Sequence, residues 1–574
     1  MVDASGRRLS KAEIAKAAGV RRPAVNNWEK RHADFPRPVD EGDRYEVEAM
    51  ARWLMRRPIP ANVLRPGEPA GSTYGERFAR SIGLIPQTEN PEPAQTSARA
   101  AVRSAADSAW EPPRDLLPNL EKWRGEGGDP ESYEELLLVL LHLRCHDPRL
   151  WGSLVRAARP AAPLPFGTVL ARALVEHQQR YPVVRDAVGN VGLKIWTDRQ
   201  LAEVVRILED VCAGERRDVP STMTRAAVVC RALLDGFATD DRVRGGEFHT
   251  PDSIVRLAVR LLAPRPGDRV YDPACGDGAF LAGAAARIEE RGGTSRSRSF
   301  GGQTMSVRSL RMAALNLAIH NLTTVTELRR GSALREDPSR TGKSDVIFAN
   351  PPFNMRDWSR RDPTDDPRWR RFGPPPRHNA NYGWLQYAVA KLSPRGRAAV
   401  LMPNTAAVSA NTHEHGIRRK MVEQGVVDCL IMLPEQLFRS TPVPVTLWLL
   451  RSRPSDDSHH VLFIDARALG IKVDRKHRVL RPEDIDKITE TYEEWRRVGP
   501  AYTGDAGFAA VASAATIVDR ACSLAASRYV TAEPSSDPYA EEKVRRLPEE
   551  LQKLHRRAAE VDALVDDRVS EVLR

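Results

Sequence analysis

Apolar residues recur at two spacings along this chain, and the switch between them divides it. Up to residue 57 the spacing is helical. Lys11–Gly19 (KAEIAKAAG) sets Ile14, Ala15 and Ala18 on one side, with Ser10 placed to cap it and Gly19 to end it. Arg22–Arg31 (RPAVNNWEKR) adds Val25 and Trp28 to that inner face, with Pro23 in its first turn. Helix, glycine turn and helix over 1–57 predict a helix-turn-helix. From 58 to 118 periodicity fades into Pro, Ala and Ser, which predicts a linker. From 119 to 244 helical spacing returns, as in YEELLLVLLHL and DRQLAEVVRILEDVC, and predicts an α-helical domain. Over 245–455 short apolar runs (VYDPAC, DVIFANPPF, AAVLMP, VDCLIML, TLWLL) alternate with helical stretches. The runs read as buried parallel strands, and the alternation predicts a doubly wound α/β domain. The remainder, 456–574, holds one clear strand, HVLFIDA, and ends in a helix from 541 onward. Val544, Leu547, Leu551, Leu554, Ala558, Val561 and Val565 form a heptad seam there, made to pack on its own domain or on a partner helix.

Composition narrows this picture by exclusion. No apolar run nears the roughly 18 residues of a membrane span, and the first residues lack the apolar core of a secretory signal. The six cysteines are scattered with no CxxC pair, so neither a disulfide framework nor a zinc ribbon is expected, and no metal site is predicted. A cytoplasmic protein follows as the expectation. Lys and Arg total 87 against 76 Asp and Glu, a net charge of +11 over 574 residues, which permits a polyanionic partner without arguing for one. The charge has two candidate uses. Arg21, Arg22, Asn26 and Asn27 would lie on the outer face of the second helix and suit phosphates and base edges. The stretch Met355–Ala380 carries Arg356, Arg368, Arg370 and Arg371 among Trp358, Trp369 and Phe372; its arginines suit phosphates and its aromatics suit displaced bases.

Two motifs carry chemistry. Asp272-Pro273-Ala274-Cys275-Gly276-Asp277-Gly278-Ala279-Phe280 sits where a strand gives way to a helix. Glycines there let backbone approach a ligand closely, and the helix start offers unpaired N–H groups. The spacing is not the GxGxxG of dinucleotide binding. The second motif, Asn350-Pro351-Pro352-Phe353, follows the strand Val346–Ala349, at the strand end where open α/β sheets bind ligands. Two prolines remove two N–H donors. What remains are carbonyl acceptors, the Asn350 side-chain oxygen and an aromatic ring, a set that suits an exocyclic amino group on a planar base.

With these motifs the chain resembles the S-adenosylmethionine-dependent N6-adenine DNA methyltransferases, and among them the modification subunit of type I restriction–modification systems. The resemblance runs from about 240 to 450 through GGEFHTP, VYDPACGDGAFL, DVIFANPPFN, NANYGWLQY, LMPN, GIRRKMVEQGVVDCLIMLPEQLF and TPVPVTLWLL, with an echo at Ser527-Arg528-Tyr529. It implies a Rossmann-like methyltransferase core, with the helix-turn-helix, helical domain and helical tail as additions. It implies S-adenosylmethionine held by Glu247, Phe248, His249, Thr250 and Pro251, by Asp272, Pro273, Ala274, Gly276, Asp277, Gly278 and Phe280, and by Gln303, Thr304 and Ser332. It implies a flipped adenine whose amino group is bound by Asn350 and the Pro351 carbonyl and whose ring stacks on Phe353, with Pro352 completing the catalytic turn. Cys275 reads as structural. Segment 34–39 (DFPRPV) with Arg44 and Tyr45 resembles the wing of small winged-helix domains of the MerR or excisionase kind.

The chain departs from the family twice. The acid expected at the ribose is replaced in Gly302-Gln303-Thr304-Met305, and the acid expected near the cofactor adenine is replaced by Ser332 in Gly331-Ser332-Ala333. Neutral partners predict weaker cofactor binding, and a DNA-binding regulator with a degenerate methyltransferase fold is the alternative from another class. Methylation of protein glutamine or of ribosomal-RNA guanine N2 uses similar Asn-Pro-Pro-aromatic turns and is a further alternative. After 450 there is no room for an evident target-recognition domain. Double-stranded DNA is therefore the expected substrate, a separate specificity subunit the expected partner, and a restriction subunit or self-association remain open.

Overall fold

The computed structural model describes residues 8–20, 22–32, 34–39, 44–57, 59, 73–81, 113, 116–122, 130–159, 165–213, 224–237, 249–293, 300–322, 326–335, 343–360, 362–438, 443–452, 459–475, 477–531, 547–548, 551–558 and 561. The chain forms two compact units, Met1–Ser108 and Ala109–Arg574.

In the first unit, strand β1 (Arg8–Ser10) leads into α1 (Lys11–Ala18). Ser10 and Glu13 form a reciprocal capping box, and Gly19 ends the helix at φ +67°. Helix α2 (Arg22–Arg31) follows, then β2 (Arg44–Glu46), which pairs antiparallel with β1, and α3 (Val47–Met55). Ile14, Ala18, Val25, Tyr45, Met50 and Leu54 form the core, with Trp28 packed against it. Within the stretch expected to be a linker, Tyr74–Ser81 forms helix α4 and buries Phe78 in this core. Gly75 sits so close to α3 that a Cβ there would lie 2.3 Å from the Met55 nitrogen. The helix is short and mostly polar (YGERFARS), so its period is not visible in the sequence.

The second unit opens with helices α5 (Leu116–Glu121), α6 (Pro130–His146), α7 (Pro148–Ala157), α8 (Phe166–Arg180), α9 (Arg185–Asn190), α10 (Asp198–Val211) and α11 (Arg225–Phe237). Then come α12 (Asp252–Leu262), β3 (Val270–Asp272), α13 (Ala279–Glu290), β4 (Phe300–Thr304), α14 (Val307–Ile319), β5 (Thr326–Arg330) and β6 (Ser344–Ala349). After them run α15 (Asn381–Lys391), β7 (Leu392–Pro403), α16 (Thr412–Glu423), β8 (Val427–Met432), β9 (Val445–Arg451) and β10 (His460–Asp465). A small hairpin, β11 (Ile471–Lys472) and β12 (Arg478–Val479), precedes α17 (Pro482–Val498), β13 (Ala509–Ser513) and α18 (Ala514–Asp519).

Nine strands make one sheet in the order β13-β10-β8-β9-β7-β6-β3-β4-β5. All neighbours run parallel except β9 and β13. β9 is the TLWLL run expected to be parallel; it lies reversed between β7 and β8, and a strand buried on both faces carries no sign of direction in its residues. The sheet also continues past 455 into β10 and β13. The strand order reverses at β3 and β6, so a crevice opens above their C-terminal ends. Two apolar layers cover the sheet, one built on α12, α13 and α17, the other on α15, α16 and α18. The helical domain grips α14: Glu134 and Glu135 of α6, each 1% exposed, pair with Arg308 and Arg311. At the far end, Leu547, Leu551, Leu554 and Val561 are all more than half exposed, so these seam residues are not covered by their own domain.

Candidate active site

The glycine turn takes its shape from its own side chains. β3 delivers Asp272, whose Oδ1 accepts the Ala274 N–H at 3.0 Å. Gly276 and Gly278 hold φ of +52° and +78°, which L side chains rarely adopt, and Gly278 starts α13. Asp277 Oδ1 caps that helix through the Ala279 N–H at 3.1 Å. The Cys275 N–H donates to the Gln303 carbonyl at 2.9 Å and so ties the turn to β4. Cys275 itself is buried in the core. Burial lifts the Asp272 carboxyl to about 8, with the nearby Asp277 charge adding to the rise and the Ala274 N–H opposing it.

Across the crevice, β6 ends in Asn350, 4% exposed. Its Nδ2 donates to Thr250 Oγ1 at 3.0 Å. That bond fixes the amide so that Oδ1 is the outward acceptor, and Oδ1 is buried with no hydrogen-bond partner among the described residues. Downstream, the Asn354 N–H donates to Asn381 Oδ1 and Asn381 Nδ2 returns a bond to Asn354 Oδ1, both at 2.9 Å. This exchange holds the loop leaving Phe353 against the start of α15.

The two motifs share one cleft of about 400 Å³, lined by Pro273, Ala274, Gly276, Gln303, Thr304, Ser332, Asn350, Pro352 and Trp384 among others. Three of these bring polar atoms that are buried without a partner among the described residues: Asn350 Oδ1, Ser332 Oγ and Trp384 Nε1. Buried polar groups are seldom left unpaired, so orphans gathered round a cleft point to a polar ligand that completes them. An adenosyl group, with ring nitrogens, an amino group and ribose hydroxyls, fits that mixture of donors and acceptors.

Other residues singled out in the sequence take different places. Glu247 and Phe248 lie outside the described residues. Pro251 stands just before the first residue of α12, and Thr250 reaches the site through Asn350. Phe280 does not line the cleft; it stacks on Phe348 at 4.7 Å inside the core. Phe353 is half-buried against one apolar layer. His249 has both ring nitrogens engaged by Asp277 and Asp235. The aromatic residues of the loop after Phe353 are not offered to bases: Trp358, Trp369 and Phe372 are buried in the second apolar layer, and Trp358 Nε1 donates to the Pro376 carbonyl. Arg368 is committed to Asp366 and to the Leu334 carbonyl, and Arg371 bonds Gln424 and the Ser452 carbonyl. Arg356 and Arg370 are exposed. On the first unit Asn26 and Asn27 are exposed, whereas Arg21 and the side chain of Arg22 lie outside the described residues. The spacing around Trp384 does not mark it as a cleft residue; its place in NANYGWLQY reads as an ordinary helical core position, yet it lines the cleft.

Comparison with known proteins agrees with this geometry. The family model described as N-6 DNA Methylase matches residues 229–538. The type I restriction enzyme HindI methylase subunit of Haemophilus influenzae is 36% identical over 334 residues, 58% of this chain and 74% of that protein. The MjaIX methylase subunit of Methanocaldococcus jannaschii is 29% identical over 403 residues, 68% of this chain and 70% of that protein. Among solved structures, a type I restriction-modification methyltransferase subunit from Streptococcus thermophilus superposes with a TM-score of 0.56 at 23% identity, over 75% of this chain and 90% of that one, and shows the fold.

Proposed function

We propose, for a chain that belongs to the N-6 DNA methylase family, that it transfers a methyl group from S-adenosylmethionine to N6 of adenine in DNA. In this reading it is the modification subunit of a type I-like restriction–modification or phage-defence system. The observation that carries the reading is Asn350 Oδ1, buried, unpaired among the described residues and aimed by Thr250 at the cleft that the glycine turn also lines.

When bound, S-adenosylmethionine supplies an electrophilic methyl group on a cationic sulfur. The glycine turn, Gln303, Thr304 and Ser332 would hold it. Asn350 Oδ1 and the Pro351 carbonyl would accept the two N–H bonds of the target amino group. That draws its lone pair out of ring conjugation and toward the methyl group. Pro352 keeps competing donors away, Phe353 offers a ring face, and catalysis rests on position and preorganised dipoles. The base must leave its stack to reach this cleft. The family match favours DNA over protein glutamine or ribosomal guanine. Recognition of the target sequence is assigned to a separate specificity subunit, with the exposed seam Leu547, Leu551 and Leu554 as its docking helix and a restriction subunit as a further partner. The first unit, with Asn26 and Asn27 outward, is read as an added DNA contact. Among the described residues no helix is long and apolar enough to cross a membrane, and we place the protein in the cytoplasm with its DNA.

The test is direct. Chromosomal DNA from cells with and without the gene is digested to nucleosides and analysed by mass spectrometry. N6-methyladenine should appear with the gene and vanish with Asn350→Ala. Methylation that persists in the Asn350→Ala strain, or that falls on cytosine instead, would overturn the proposal.

A further inference from the structure

The segment joining the helical domain to the sheet places one histidine between two carboxylates. His249 Nδ1 lies 2.7 Å from Asp277 Oδ2, and Nε2 lies 3.0 Å from Asp235 Oδ1. Asp235 belongs to α11, the last helix of the helical domain, and Asp277 to the glycine turn. Each acid has a second duty. Asp235 Oδ1 also accepts the Asp252 N–H at the start of α12, at 3.2 Å, and Asp277 Oδ1 caps α13. Ionised, both acids only accept, so both ring nitrogens must donate. A neutral imidazole has one N–H and would turn a lone pair toward the other carboxylate. The arrangement therefore selects the imidazolium.

Its surroundings agree. Burial alone would discharge the ring, but the Asp277 charge and then the Asp235 bond outweigh burial and lift it to about 10. The other charged or titratable groups facing the same small cavity are Arg231, Asp252 and His320. Arg231 and Asp252 pair with each other, and burial keeps His320 neutral, at about 4. None of these replaces the ring between its two acids.

We infer that His249 is a positioning residue for methyl transfer, a doubly hydrogen-bonded cation that locks the cofactor turn and the Thr250–Asn350 contact to the last helix of the helical domain. One side of the ring holds Asp277, whose carbonyl also takes the Asn316 Nδ2 bond at 2.8 Å. The next residue along the chain is Thr250, the anchor of Asn350. One side chain thus fixes both walls of the cleft. The inference rests on reading that turn as the cofactor site.

The experiment uses the full chain and two variants, His249→Gln and Asp235→Asn. Asn keeps an acceptor for the Asp252 N–H but removes one countercharge. Binding of S-adenosylhomocysteine, which lacks the alkali-labile sulfonium, is titrated from pH 6.5 to 10.5, and thermal midpoints are recorded over the same range. A ring raised above its unfolded value gives up its contribution as pH climbs through the folded value. Wild-type affinity should hold to about pH 9 and fall through about 10. In Asp235→Asn that fall should move down by about one pH unit or more. His249→Gln should bind about tenfold more weakly at pH 7.5 and show no such fall. An alkaline limb in Asp235→Asn that coincides with wild type, or wild-type affinity in His249→Gln, would overturn the inference. If the wild-type chain bound no cofactor, the functional reading would fail instead. The shift of the alkaline thermal midpoint in Asp235→Asn would still decide the role of His249 as a lock.

Discussion

At the scale of single residues, the site is defined by where charge is and is not. Asp272 is a carboxyl kept protonated by burial, at about 8. The folded chain then holds a proton that the unfolded chain gives up near its ordinary value of 3.8. Folded stability should therefore fall as pH rises from about 4 to about 8, and level off above that. Asp272→Asn removes this slope. Thermal midpoints measured from pH 5 to 8 should decline for the wild type relative to Asp272→Asn; parallel curves would show that burial does not hold the proton. The opposite change applies at Ser332, whose hydroxyl is buried and unpaired among the described residues at the cleft wall. A carboxylate there can accept a charge-strengthened bond from an adenine amino group, worth roughly 1.5 kcal/mol more than a neutral acceptor. Ser332→Asp should tighten S-adenosylmethionine binding about tenfold by calorimetry. Unchanged or weaker binding would place the adenine elsewhere.

At the scale of elements, the helical domain and the sheet are joined at α14. Glu135 of α6 is 1% exposed and pairs with Arg311 at 2.7 Å. Deleting the cation takes the Arg311 bond away from a buried carboxylate, and breaking a buried ion pair costs about 3–5 kcal/mol. Arg311→Met should therefore lower unfolding free energy in urea by about 3 kcal/mol. Glu135→Leu added to it should restore much of the loss, since the carboxylate that lost its cation is then gone. A loss in Arg311→Met that Glu135→Leu did not reverse would refute the pairing argument. How much of this was legible in the sequence depends on the element. β3, β6, β7, β8 and β10 announced themselves as apolar runs, and the glycine turn and NPPF as strand-end motifs. β4 (FGGQT), β5 (TELRR) and β13 (AAVAS) did not, because glycine, exposed edge charge and small side chains erase the pattern. The loop after Phe353 misled for a related reason. Tryptophan beside arginine reads as a nucleic-acid surface, yet Trp358 and Trp369 turn inward because α15 and the strands beneath it supply an apolar wall that no local spacing reveals. The His249 lock was equally hidden, since its partners stand 14 and 28 residues away in sequence.

At the scale of the whole molecule, the question is what each of the two units adds. The described residues that line the cleft, from Pro273 to Trp384, belong to the second unit, as does Thr250, which anchors Asn350. Among the described residues, the first unit contributes none that line the cleft. Cofactor affinity should therefore survive removal of residues 1–108. DNA affinity should not, if the outward face of α2 touches phosphates. Each phosphate that is no longer neutralised takes about 0.9 from the slope of log affinity against log salt. The truncated chain should thus bind duplex DNA more weakly at low salt and with a slope smaller by about 2–4. Arg356→Glu with Arg370→Glu, both exposed in the stretch after Phe353, should flatten the slope in the same assay while leaving the contribution of the first unit intact. Combining the truncation with the two reversals should add the two effects, because the DNA-binding residues would lie on separate units. If truncation left the slope unchanged and the reversals alone removed it, the first unit would not touch DNA, and its exposed face would have to serve a protein partner.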